Sequence, residues 1–147
     1  NHSQKLKLVE KVNNHFGDDL KGLKFAIWGL AFKPDTDDIR EAASLYIIDE
    51  LIELGAQISV FDPEAMKNVK HTIGDKISYA SNQYEALEDA DALLIVTEWS
   101  VFRNPDFLKM KEALKNNIIF DGRNLYDLDL MRSQDFYYES IGRGVVD

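Results

Sequence analysis

Residues 24–42 read KFAIWGLAFKPDTDDIREA. Four apolar residues, Phe25 to Trp28, run consecutively and stop at Gly29. Apolar positions without alternation mark a strand buried on both faces, as in a parallel sheet. A polar loop follows, carrying Lys33, Asp35, Asp37, Asp38 and Arg40, and then a helical pattern begins. In parallel α/β proteins, ligands sit where strands end and loops begin. A lysine and an arginine seven residues apart in such a loop suit an anionic ligand, a phosphate ester above all.

The pattern continues on both sides of this stretch. Residues 3–16 have helical spacing, with Leu6, Leu8, Val9, Val12 and Phe16 on one face and Lys5, Lys7, Glu10 and Lys11 on the other; Gly17 is the expected stop. A helix is expected over 42–54, with Leu45, Ile48, Leu51 and Ile52 inward and Gly55 as its left-handed cap. Asp38 with Glu41 offers an earlier start through a capping box, and the sequence leaves the two starts open. Strands are expected at 57–61, 77–80, 92–97 and 117–121, with an edge strand at 136–139. Between them fall helices at 64–70, 105–114 (Phe107, Leu108 and Leu114 inward) and 127–132, and a helical turn at 83–87. Strands alternating with helices predict a three-layer α/β sandwich, with a mostly parallel Rossmann-like sheet and an N-terminal helix.

Composition narrows the function. The 147 residues fit one domain, and 45% of them are apolar, as in an ordinary globular protein. No apolar run approaches a membrane span, and no secretory pattern opens the sequence. The absence of cysteine removes disulfides, thiolate metal sites and a cysteine nucleophile from this chain, and fits the cytoplasm. A net charge of −9 argues against a nucleic-acid surface, yet a few cations in a cleft can still dominate the local field.

Three cations are candidates for chemistry. Lys33 lies just past a buried strand end and either reaches a phosphate or is solvated; Phe32 beside it packs on a ligand or in the core. Arg40 reaches an anion or pairs with the nearby aspartates to shape the loop. Arg123, in Asp121-Gly122-Arg123-Asn124, ends another buried strand, with Gly122 permitting a sharp turn. The acids at 35, 37 and 38 suit turns and caps better than magnesium, because five residues separate Gly29 from the nearest of them, too many for a strand-end catalytic aspartate. The turn after the first strand lacks the three-glycine dinucleotide fingerprint, so Asp62-Pro63 reads as a turn and not as a ribose contact. Thr97-Glu98-Trp99 offers a base or a ligand cover, against a buried aromatic under a loop. His2, His15 and His71 have no partner pattern, and 142–144 reads as a flexible terminus.

Four stretches, GLAFKPDTDDIRE at 29–41, FDPEAM at 61–66, YEALEDADALLIVTEW at 84–99 and IIFDGRNLYD at 118–127, occur in the order seen in one family. Through them the chain resembles the C-terminal domain of the UDP-glucose and GDP-mannose dehydrogenases, from about Gln4 to Arg143. The resemblance implies NAD-dependent oxidation of the C6 alcohol of UDP-glucose to UDP-glucuronate in two hydride transfers. It implies a catalytic cysteine, an upstream lysine and aspartate, and an NAD-binding N-terminal domain that this chain does not contain. It implies that Phe32, Lys33 and Arg123 contact the nucleotide-sugar and that Arg40 reaches the cofactor phosphates. It also implies that residues 1–20 are the end of an interdomain helix, that 21–147 form the UDP-binding domain, and that the full enzyme is a homo-oligomer. A sister enzyme acting on GDP-mannose or a UDP-N-acetyl-hexosamine, a non-catalytic nucleotide-sugar module, and a phosphoryl-transfer or receiver-type domain stay open.

Overall fold

The computed structural model describes the backbone from His2 to Asp147 and the side chains from Lys7 onward, so the expectations for Leu6, Lys5 and His2 lie outside the described side chains. The described residues form five α-helices and six strands: α1 His2–Phe16, β1 Lys24–Trp28, α2 Ala43–Glu53, β2 Gln57–Phe61, α3 Met66–Ile73, β3 Ser78–Tyr79, β4 Ala92–Ile95, α4 Phe107–Ala113, β5 Ile118–Asp121, α5 Leu128–Ser133 and β6 Tyr137–Glu139; only a single helical turn, Glu85–Leu87, separates β3 from β4. All six strands pair in parallel, in the order β3-β2-β1-β4-β5-β6. Right-handed crossovers put α2 and α3 on one face and α4 and α5 on the other. The α1 helix lies beside α2 on the first face, over β5.

The central strands are buried because both faces carry helices. Phe25, Ala26, Ile27 and Trp28 of β1 and Ala92, Leu93, Leu94 and Ile95 of β4 are all fully buried. Trp28 satisfies its indole N–H on the Gln83 carbonyl at 2.9 Å and stacks on Phe102 at 4.8 Å between ring centroids. Leu8, Val9 and Val12 of α1 are buried in the same core, so this helix is packed on the domain rather than left with a bare inner face.

The later start of α2 is the one observed. Ala42 precedes it with no side-chain cap, and Asp38 is engaged elsewhere. Its inner face is Ser44, Ile47, Ile48 and Leu51, while Leu45 and Ile52 are half-buried. In α4 the expectation for Leu108 is wrong: it is 67% exposed. The helix begins at Phe107 behind an Asp106 cap, so Met110 and Leu114 share its inner face and Leu108 turns to solvent.

The terminus is not loose either. Tyr138 and Val146 exchange both backbone hydrogen bonds, at 2.7 and 2.9 Å, and Val146 is buried. Arg143 donates to Ser140 Oγ and Tyr138 Oη, both at 2.9 Å, and lies over the Tyr138 ring. An aromatic partner on β6 and a single cation are enough to hold a segment that two glycines make look flexible. Among the described residues no helix is long and apolar enough to cross a membrane.

Candidate functional site

In the strand order, the chain reverses direction between β1 and β4, and the crevice at their carboxyl ends is the expected ligand position. The loops after β1, β4 and β5 meet there. They carry Phe32-Lys33, Thr97-Glu98-Trp99 and Gly122-Arg123 respectively. The β1 and β4 ends are in close contact. Gly29 has φ +98°, and a Cβ on it would stand 2.5 Å from both the Cβ and the N of Thr97, so only glycine fits.

Asp62, at the end of β2, organises the first loop. Its buried carboxylate accepts from the backbone N–H groups of Leu30 (2.6 Å), Ala31 (3.0 Å), Glu64 (2.8 Å) and Ala65 (2.8 Å), and from Trp99 Nε1 (3.0 Å). Asp62 does make the expected turn, but its second oxygen also fills the cradle of loop amides that a dinucleotide fold offers to pyrophosphate. Trp99 is accordingly buried as an anchor under the loop. Ser44 Oγ donates to Leu30 O at 2.6 Å, and Thr97 Oγ1 donates to Ala31 O at 2.7 Å. The strand-end backbone is thus saturated just before Phe32.

Beyond that point the side chains are exposed. Phe32 is 55% exposed, and Lys33, also exposed, has no ion-pair partner among the described residues. The loop closes through Phe32 N–H to Asp38 O at 2.7 Å and is tied to α3 by Asn68 Nδ2 to Asp37 O at 2.9 Å. Asp35 and Glu41 both sit at positive φ, 66° and 57°, the second a strained conformation for its residue type. Arg40 pairs with Asp38 through Nη2 (2.8 Å) and Nε (3.0 Å) while remaining 87% exposed. Hydrogen bonds from the Arg40 side chain and backbone hold the Asp38 carboxyl down at about 2, with the charge of Lys33 adding to the effect. Asp38 is therefore a loop-shaping acid, and no group of three metal-ligating side chains occurs among the described residues. A hollow of about 510 Å³ beside this loop is lined by Asp35, Thr36, Asp37, Glu64 and Trp99, and includes none of the candidate cations.

A second strand-end aspartate organises the other loop. Asp121, fully buried, accepts from Arg123 N (2.8 Å), Leu125 N (2.7 Å) and Tyr138 Oη (2.6 Å). Gly122 is needed for close approach rather than for a left-handed turn, since a Cβ there would lie 3.0 Å from Ile95 O. The positive φ falls on Asn124, at 55°. The Arg123 guanidinium donates to Glu98 Oε2 at 2.7 Å. Burial pushes the Glu98 carboxyl up, but hydrogen bonds from its own backbone N–H and from Arg123 outweigh it and leave the group below the usual carboxylate range.

The fold therefore brings Lys33, Phe32 and Arg123 to one edge of the sheet, with β4 between β1 and β5 and the outer two strands ~10 Å apart. Arg40 stands further out, on the same loop as Lys33. Sequence reading missed the loop-pinning roles of Asp62 and Asp121 and the Glu98–Arg123 pair. Acids at strand ends were the available signal, but nothing in the sequence says which backbone amides they face.

Known proteins agree with this architecture. Residues 26–128 match the UDP-glucose/GDP-mannose dehydrogenase family, UDP binding domain. The chain is 39% identical over 146 residues to the UDP-glucose 6-dehydrogenase TuaD of Bacillus subtilis (strain 168), which covers 99% of the chain and 32% of that protein. It is 40% identical to the UDP-glucose 6-dehydrogenase of Pseudomonas aeruginosa, over 97% of the chain and 33% of the relative. Among solved structures, a UDP-glucose dehydrogenase from Pyrobaculum islandicum superposes with TM-score 0.74 at 29% identity, over 85% of this chain and 27% of that one. The NDP-N-acetyl-D-galactosaminuronic acid dehydrogenase of Methanosarcina mazei Go1 gives 0.78 at 26% identity, over 96% and 29%. The chain thus spans about a third of the length of the curated relatives it matches. With its sheet order, its strand-end loops and a match over most of its length, the chain belongs to the UDP-glucose/GDP-mannose dehydrogenase family, as its UDP-binding domain.

Proposed function

We propose that this chain grips the nucleotide-diphosphate end of a sugar nucleotide, UDP-glucose first, for an NAD-dependent UDP-glucose 6-dehydrogenase whose redox chemistry takes place on residues outside this chain. The observation that carries this reading is Lys33, exposed and without an ion-pair partner among the described residues, beside an exposed Phe32 at the carboxyl end of β1, in a domain of the UDP-binding type. Lys33 and Arg123 supply charge to the diphosphate, and Phe32 supplies an apolar surface. Contacts to this non-reacting end position the sugar's C6 for oxidation elsewhere.

The residues after β1 do not fit NAD. The amides of Leu30 and Ala31 already bond to Asp62, and the three-glycine turn is missing. The cofactor is accordingly assigned to the N-terminal domain of the same enzyme, with only Arg40 reaching toward its phosphates. The thioester step implied for the family needs a cysteine, and this chain has none. The full enzyme is taken as a homo-oligomer.

Calorimetric titration with UDP, UDP-glucose, GDP and NAD tests the proposal. Binding of UDP species ahead of GDP and NAD is expected, with no NADH formed when the chain alone meets UDP-glucose and NAD. Equal response to all four would refute the binding assignment, and steady NADH production would refute the division of labour. A second reading, a UDP-N-acetyl-hexosamine substrate, is favoured by the likeness to the Methanosarcina enzyme. Tighter binding of UDP-N-acetyl-hexosamines than of UDP-glucose would select it.

A further inference from the structure

Glu98 lies in the middle of the proposed anion site. It follows β4, the strand between those that deliver Lys33 and Arg123. Its carboxylate takes one hydrogen bond from the Arg123 guanidinium, through Nη2 at 2.7 Å. The pair is neither sealed nor fully solvated, with side-chain exposures of 37% for Arg123 and 25% for Glu98. The backbone of Arg123 is fixed independently by Asp121, so the guanidinium does not need Glu98 to stay at this edge.

We propose that Glu98 is an internal occupant of the anion site, holding the Arg123 guanidinium in the free chain until a phosphate of the incoming ligand displaces its carboxylate, so that Glu98 sets both the affinity and the anion selectivity of this edge. The inference rests on the reading that the edge takes a sugar-nucleotide diphosphate.

The exchange is physically balanced. A guanidinium has five donors in a planar fork, and Glu98 uses one of its Nη2 hydrogens. A phosphate can take the fork bidentately and brings more charge than one carboxylate. A partly exposed ion pair is weak, enough to discriminate against weak anions and too little to lock the site. Neutral ligands gain nothing from displacing Glu98, whereas a diphosphate does.

The test is calorimetric titration of UDP, with uridine as the phosphate-free control, into the wild-type chain, Glu98→Gln, Arg123→Ala and the double variant at fixed low salt. Removing the internal carboxylate is expected to tighten UDP about fivefold and leave uridine unchanged. In the Arg123→Ala background the gain is expected to fall below about twofold, because the two residues act as one unit. If wild type binds UDP and Glu98→Gln binds it no tighter, the inference is overturned while the sugar-nucleotide reading stands. An equal gain in both backgrounds also overturns it, since Glu98 would then act at a distance and not through Arg123. If folded wild type and Glu98→Gln both ignore UDP, the sugar-nucleotide reading falls and takes the inference with it. Should Glu98→Gln fail to unfold cooperatively, Glu98→Asp, which shortens the reach to Arg123, is held to the same outcomes.

Discussion

The loop after β1 and the loop after β5 each hang from a buried strand-end aspartate, yet one presents a free cation and the other a paired one. Asp62 takes five hydrogen bonds and leaves Lys33 without an ion-pair partner among the described residues; Asp121 takes three and leaves Arg123 bonded to Glu98. In both places the amides nearest the strand end are occupied by protein carboxylates. On the proposed reading, the ligand phosphates at this edge are therefore held by the Lys33 and Arg123 side chains rather than by these amides. Such a grip depends on salt and on individual cations more than one built from backbone amides.

The largest test of this comparison removes the aspartates themselves. Asp62→Ala strands four backbone N–H groups and the Trp99 indole, and is expected to cost about 4 kcal/mol in urea unfolding. Asp121→Ala should cost less, about 2–3 kcal/mol, because Tyr138 Oη keeps its bond from Arg143. A smaller loss at Asp62 than at Asp121 would reverse the ranking of the two loops.

The cations come next. Lys33→Ala should weaken UDP binding about tenfold while changing stability by no more than ~0.5 kcal/mol, since among the described residues only the Asp38 carboxyl feels its charge. Arg123→Ala should weaken UDP about threefold, because Glu98 already competes for that guanidinium. Equal losses at the two positions would erase the distinction between a free and a paired cation.

The smallest effect concerns the outer loop. Asp38 is held at about 2 by Arg40, below the ordinary carboxylate value. A depressed folded value stabilises the loop above the unfolded value, and that contribution is lost as pH falls from about 4 toward 2. Titration of the Asp38 carboxyl by NMR should give a midpoint near 2 that climbs toward the ordinary value in Arg40→Ala. An unchanged midpoint in that variant would break the assigned cause.

Much of this was legible in advance. The runs at Phe25–Trp28 and Ala92–Ile95 are buried on both faces, as consecutive apolar residues demand, and Gly55 follows α2 at positive φ as expected. Leu108 faces solvent because the inner stripe of α4 is the i, i+4 pair Met110 and Leu114, and a residue two positions before Met110 lies about 200° round the helix from it. Residues 142–144 depart from the flexible reading because Arg143 bonds back to Ser140 and Tyr138 and the segment is closed by the Tyr138–Val146 bridge, which glycine content alone does not reveal.

By itself the sequence determined the alternating elements, the parallel sheet and the loops that carry the cations, because periodicity, strand-end glycines and motif order are local properties of the chain. Only the tertiary structure decided which cation is free. Whether Lys33 is solvated, whether Arg123 meets Glu98, and which amides Asp62 consumes depend on residues 25 to 37 positions apart that the sheet order makes neighbours. Charge pairing is set by distance in space, and no local pattern encodes it.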